Sequence, residues 1–549
     1  MNSDMKHLLN QIVLSVALFG TLQSYALAQI PPSIATPDKV ESRIGTLEYK
    51  DGAPSTETVA KVYDYLDLMH GVEAFMNAYQ GASVASIFKG IEAAGVPNNT
   101  ALIFSELMDA KSRFLTANAD TIYFFVNLDA SKGPIVIETP PLALGVVDDM
   151  WFRWVTDFGL PGPDRGAGGK YLFVPPGYTG ELPESGYFVQ KLSTTRATLL
   201  GRSFLEKNDP KPVVARIKNT LKVYPYLPGG YGTSIGSALQ GKATLAHTPD
   251  HKLDWAFLRP VEPVTFTEGS GKIINTVPPN DFSYFELIND LVQKEPAEAL
   301  NPEIMGSLAA IGIVKGKPFE PDARMKQILT EAAAIGTASA RTLNWRPRPA
   351  EGFAYYSDSA WSMMLWVGGY NFETPPPQVS AEGVITPYPP TGARTLNART
   401  AFFFYATYIT PAMMMRLTAI GSQYIGAFVD SNGEYFDGGK TYKVTLPPNI
   451  PAEKFWSLTV YDNQSRSMLD TPQRYPRAGS QSYPTPAAQP NTDGSTTVYF
   501  SPSLPEGVNS GNWIQTTAGK GWSVMLRLYS PLEPFFTKAW RPSEIELVK

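Results

Sequence analysis

Residues 118–128 read Asn-Ala-Asp-Thr-Ile-Tyr-Phe-Phe-Val-Asn-Leu. From Ile122 to Leu128 the run is β-branched, aromatic or aliphatic but for Asn127, the composition of a hydrophobic strand. Asn118, Asp120 and Thr121 stand at its start, where short polar side chains bond neighbouring amides. A comparable pattern returns far downstream as Phe455-Trp456-Ser457-Leu458-Thr459-Val460-Tyr461-Asp462, and again from Asp493 to Phe500. Two β regions are therefore expected, one in each half of the chain.

Working outward, Pro134–Glu138 and Gly169–Val174 read as further strands, the second closed by Pro175-Pro176-Gly177. The 45 Gly and 48 Pro are scattered among such short runs, which favours sandwiches or barrels. Helical spacing appears in three places. Val59, Val62, Leu66 and Met69 share one face of a first helix, with Ser55 and Thr56 available as N-caps, and a second helix is predicted from Ser83 to Ala94. Between Asp281 and Gly336 the period turns helical: Phe282, Phe285, Ile288, Leu291 and Val292 form a stripe, Pro302 starts a short helix, and Asp322–Ala334 is alanine-rich. A further helix is expected near Pro411–Thr418, and the Pro-rich 374–390 stretch reads as a surface arm. Ser431-Asn432-Gly433 and Thr492-Asp493-Gly494 are hairpin turn signals. The predicted fold is thus mainly β with helical insertions (α+β). Its predicted parts are an N-terminal β domain over 56–263 with leading helices, a helical bridge over 264–345, and a C-terminal β domain over 346–549.

Residues 1–28 have the form of a signal peptide. Lys6 and His7 precede an apolar run ending at Leu22, and Ala26-Leu27-Ala28 is a small-x-small cleavage site. A periplasmic or secreted protein beginning at Gln29 is expected, with no second apolar run long enough for a transmembrane anchor. The chain has no cysteine, which excludes disulfides, thiolate catalysis and zinc–thiolate sites. A length of 549 residues, with 43% hydrophobic and 12% aromatic content, is ample for two or three cores. The formal net charge of −5 and the lack of a basic stripe argue against a nucleic-acid partner.

The segments quoted above, with Arg113–Tyr123, Asn275–Phe282, Gly312–Phe319 and Gly438–Tyr442, resemble a bacterial exported two-domain family whose halves are known as domains of unknown function 1254 and 1214. The resemblance runs from about Tyr63 to Trp540. It implies largely β, jelly-roll-like domains with helical insertions. It assigns no catalysis, so no catalytic residue is carried over from it.

Several constellations bear on chemistry. Gly232-Thr233-Ser234-Ile235-Gly236 fits the nucleophile-elbow pattern, with His247 and Asp250 downstream, yet the preceding Tyr224–Gly230 reads as a loop rather than a buried strand. His247 and His251 lie four apart and, with a carboxylate, suit a divalent cation. Pro249 between them argues against the helix that would align them and favours a surface turn. Asp430-Ser431-Asn432-Gly433-Glu434 offers oxygens around a Gly turn as a calcium loop does, without the full loop spacing, and a hairpin explains the same residues. A divalent cation held by His247, His251 or Asp430 is the candidate cofactor. His70, in the first helix, reads as a packed or capped core residue rather than a general base.

Asp120 and Asp157 are candidates for an acid–base pair, since two carboxyls in differently polar surroundings titrate apart. Asn118, Thr121, Tyr123, Trp151, Trp154 and Arg466 are candidates for substrate binding through stacking, hydrogen bonds and a guanidinium fork. Each has a structural alternative: strand capping for Asn118, Asp120 and Thr121, and a turn brace to Asp462 or Asp470 for Arg466. Trp513, Trp522, Arg527, Tyr529 and Trp540 read as core and edge packing. The expected function is an envelope hydrolase acting on a small or oligomeric polar substrate in an inter-domain cleft. The alternatives are a non-catalytic carbohydrate- or small-molecule-binding protein and a structural homo-oligomer pairing its exposed β edges.

Overall fold

The computed structural model describes residues 31–183, 186–227, 261–363, 367–373, 378–379, 385–386, 393–414 and 417–549. Thr121–Asp129 is a strand, as its composition requires, and lies inside a six-stranded sheet. In spatial order that sheet runs Phe266–Glu268, Ala101–Ile103, Thr121–Asp129, Arg196–Phe204, Leu144–Asp149 and Trp154–Gly159. Its register places Phe125 opposite Leu200, Leu200 opposite Val146 and Val146 opposite Asp157. One step along, Tyr123 faces Arg202 and Arg202 faces Leu144. Because side chains alternate across a strand, these two rows share one face.

The opposite face is aromatic. Phe124 lies near Phe158, and Phe158 meets Tyr171 edge-on at 6.3 Å. Tyr171 belongs to a four-stranded sheet ordered Phe188–Lys191, Lys170–Val174, Ile135–Glu138 and Lys222–Pro225. Gly201 and Gly145 make this stacking feasible: a Cβ at Gly201 would stand 2.0 Å from the Phe124 ring, and one at Gly145 would stand 1.9 Å from the Phe158 ring.

The C-terminal half repeats the two-sheet plan. One sheet is ordered Ser422–Ala427, Trp522–Pro531, Ala452–Asp462, Arg477–Gly479, and the other Trp513–Gln515, Thr496–Ser501, Tyr442–Leu446, Glu546–Leu547. The Trp522–Pro531 strand shows why its sequence is apolar almost throughout. Trp522 stacks on Phe436 at 4.2 Å and Phe500 at 4.9 Å, while Arg527 and Tyr529 point the other way, into the N-terminal region. Both faces are buried, so the usual polar alternation is absent.

Helices occupy nearly as many residues as strands, so the α+β expectation holds while the β share is smaller than composition suggests. The predicted second helix is Tyr79–Ala93, starting earlier than Ser83. Ser283–Lys294 buries Phe285, Ile288, Leu291 and Val292 of the expected stripe. Asn301 caps Pro302–Ala310, and Asp322 accepts a hydrogen bond from the Met325 amide at the start of Ala323–Trp345. Pro411–Met414 is helical, within the expected Pro411–Thr418. Leu396–Tyr405 escaped sequence reading because Ala398–Tyr405 is buried on every side, which leaves no amphipathic stripe to detect. Among the described residues, no helix is long and apolar enough to cross a membrane.

Contacts divide the chain into Met1–Asp67 and Leu68–Lys549. The first unit holds a small antiparallel sheet of Lys39–Ser42, Gly45–Lys50 and Ala53–Pro54, after which the Ser55 hydroxyl accepts from the Thr58 amide and caps the first helix. Val59 on that helix is exposed rather than buried. The second unit contains all four sheets described above. One continuous apolar cluster runs within it from Ala74 to Ile545, so its two β regions share a core.

Candidate functional site

The Tyr123–Arg202–Leu144 and Phe125–Leu200–Val146–Asp157 rows of the six-stranded sheet face Tyr424, Met525 and Arg527 of the C-terminal sheet across a cavity of about 170 Å³. The walls are mostly apolar and include Phe125, Leu200, Met363, Phe402 and Phe428. A few polar groups converge on it. Arg202 Nη2 reaches the Ser422 hydroxyl at 3.3 Å and the Tyr424 hydroxyl at 3.4 Å, both long contacts. Arg527 Nη2 donates to the Thr116 carbonyl at 2.6 Å. The Asn118 amide donates to the Tyr123 hydroxyl at 2.5 Å, while its oxygen accepts from the Asp120 amide and the Thr121 hydroxyl. Asn118 therefore starts the strand and orients a cavity tyrosine at once.

Asp157 is the carboxyl on the cavity wall. Burial pushes it up to about 6, an effect that the Thr410 and Trp154 side chains offset only in part. Its Oδ1 has no hydrogen-bond partner among the described residues. Such a group exchanges a proton near neutral pH, as a general acid or base must. Behind it, Asp148 is fully buried, with Oδ2 accepting from the Ile409 amide at 2.9 Å. Burial holds Asp148 well above the carboxylate range, helped by the neighbouring Asp149 and Asp157.

Asp120 has a different environment. It is fully buried, 2.8 Å from Arg477 Nε, and accepts from the Ser457 hydroxyl at 2.6 Å and the Tyr529 hydroxyl at 2.9 Å. It is not among the residues lining the cavity, so the two expected acid–base partners are not brought together there. Its side-chain partners all come from the C-terminal region, which makes it a tether between the two halves. Thr121 is buried in the strand start. Trp151 is buried against Gly81, while Trp154 is partly exposed and edge-on to Tyr370 at 5.6 Å.

Arg466, proposed as a carboxylate clamp, is fully buried and pairs with neither Asp462 nor Asp470. Its guanidinium lies 4.0 Å from the Phe404 ring centre and donates to the Phe404 and Gln464 carbonyls and to the Tyr79 hydroxyl. Asp462 instead caps its own turn and pairs with Lys520 at 3.1 Å. Asp430 accepts from the Asn432 and Glu434 amides, which is the hairpin alternative. His247, His251 and the 232–236 serine pattern lie outside the described residues. Among the described residues, no three His, Cys, Asp or Glu are placed to hold a metal ion. His70 is partly exposed, 4.0 Å from Glu73 on its own helix.

Arg202, Tyr424 and Thr410 went unnoticed in the sequence, and Arg527 was read as packing. A signal for both arginines exists: each is a lone cation inside an apolar strand, in Leu199-Leu200-Gly201-Arg202 and Val524-Met525-Leu526-Arg527. A charge at such a position is buried and therefore needs an explanation.

Residues 98–225 match the family described as a protein of unknown function, DUF1254, and residues 421–533 match DUF1214. The chain therefore carries the DUF1254–DUF1214 two-domain arrangement, and the cavity lies between those two matched regions. The crystal structure of the VPA0106 protein from Vibrio parahaemolyticus is similar at 16% identity and a TM-score of 0.47, covering 88% of this chain and 100% of that one. An uncharacterised protein from Burkholderia cenocepacia is similar at 11% identity and a TM-score of 0.37, covering 90% of this chain and 97% of that one. Neither likeness carries an argument about mechanism. No curated protein matches the chain.

Proposed function

We propose that this protein binds a compact, largely apolar small molecule in the cavity between its two matched regions. The observation that carries the reading is the cavity itself: about 170 Å³, apolar-walled, with a few convergent polar groups from both halves. That volume is comparable with the ~150 Å³ cavity that holds benzene in another protein, so the site suits a single ring or a branched chain. The oligomeric substrate of the sequence expectation is too large for it. A thermal-shift screen tests this, because a ligand selective for the folded state raises the melting temperature. Compact aromatic and branched aliphatic compounds are expected to stabilise the protein and oligosaccharides are not; the reverse pattern would refute the reading.

A second reading, a hydrolase, is favoured by Asp157, a carboxyl near neutrality with a free oxygen at the cavity wall. In it, Asp157 alone moves the proton and Asp120 has no chemical part. The leader-like residues 1–28 support action in the cell envelope, which fractionation of the producing cell tests directly.

A further inference from the structure

Two guanidinium groups line the cavity with no carboxylate partner among the described residues. Arg527 is 2% exposed, and its Nη1 has no hydrogen-bond partner among the described residues. Its Nη2 donates to the neutral Thr116 and Ala117 carbonyls, and its guanidinium lies 5.5 Å from the Tyr461 ring centre. Arg202 is partly buried, and its contacts are the neutral Ser422 and Tyr424 hydroxyls at 3.3 and 3.4 Å. The acid closest to this group in effect, Asp120, is already engaged by Arg477 at 2.8 Å. Two guanidinium charges therefore stand beside an apolar cavity whose one lining carboxyl, Asp157, pairs with neither among the described residues, and burying an unpaired charge is costly.

The field they set up acts on Tyr424, which lies opposite Arg527 in the strand register. Burial alone would raise the Tyr424 phenol, yet the Arg202 and Arg527 charges outweigh it and hold the hydroxyl below its ordinary value. The local potential is thus positive in a place that water reaches poorly.

We infer that the cavity takes a compact carboxylic acid, its carboxylate between Arg202 and Arg527 and its aromatic or branched aliphatic body against Phe125, Leu200 and Phe402. A carboxylate matches the planar guanidinium fork, and each such charge-assisted hydrogen bond is stronger than a neutral one. This deepens the proposed function and rests on the cavity being a ligand site.

The test is isothermal titration of the full mature chain with benzoate, phenylacetate and 4-methylpentanoate, each against its own amide. The acids are expected to bind at least about tenfold more tightly than the amides. Arg527→Met and Arg202→Met should each erase that preference, and Arg202→Lys should retain part of it. If Arg527→Met does not fold, judged by circular dichroism, the Arg202 pair of variants carries the test. Amides that bind as tightly as acids overturn the carboxylate inference while leaving the cavity reading standing. A series in which neither acids nor amides bind overturns both. A tyrosinate absorbance at neutral pH that Tyr424→Phe removes also overturns the inference, since the surplus charge would then be neutralised from within.

Discussion

Asp120 and Asp157 are the same residue type in the same β region, and their surroundings give them opposite work. Asp120 faces a buried cation, and removing one partner of such a pair leaves the other uncompensated. Asp120→Ala is expected to cost about 3–5 kcal/mol in urea denaturation. Replacing both members, as in Asp120→Asn with Arg477→Met, should recover part of that loss. An Asp120→Asn variant of unchanged stability would return the residue to a chemical role. Asp157 makes a pH prediction. Its native value, about 6, lies above the ordinary aspartate value near 3.9. The native state therefore holds the proton more tightly, and this contribution is complete below about pH 4 and lost as pH rises through 6. Asp157→Asn should gain on the wild type across that window, by up to about 3 kcal/mol. Melting temperatures recorded from pH 4 to 7 check it, and a constant difference between the two proteins would contradict the assignment.

Strands and helices differ in how far they can be read ahead. Thr121–Asp129 and Ala452–Asp462 announce themselves because aromatic and β-branched residues run together. Ser283–Lys294 does so through its stripe, and Asp322 through its cap. Leu396–Tyr405 does not, because Ala398–Tyr405 within it is buried on every side. Nor does the sequence explain why Gly201 interrupts an apolar strand. The structure does: the Phe124 ring lies where a side chain would start. Gly201→Val is expected to cost about 1–3 kcal/mol by overpacking, or more if Phe124 cannot move. Shortening the ring with Phe124→Leu in the same chain should restore part of the stability, and denaturation of the single and double variants measures the coupling.

For the molecule as a whole, the two-domain arrangement was legible from long motifs, and the presence of two β regions from recurring strand composition. The candidate site was legible only in fragments. Asn118, Tyr123 and Asp157 were singled out and do line the cavity, but for reasons that sequence could not rank. Arg202 and Arg527 meet there across more than half the chain, and no local pattern encodes such an approach. The same distance hid Arg477 from Asp120, so a tether looked like a catalyst.

That tether also bears on how the two halves can be exchanged between relatives. The carboxylate sits in the DUF1254 region and its cation in the DUF1214 region, and each is stranded without the other. A recombinant that imports one half from a relative with a different residue at position 120 would inherit a buried bare guanidinium along with its new ligand wall. Grafting one half of this chain alone therefore calls for the residue at 120 or 477 to be grafted with it.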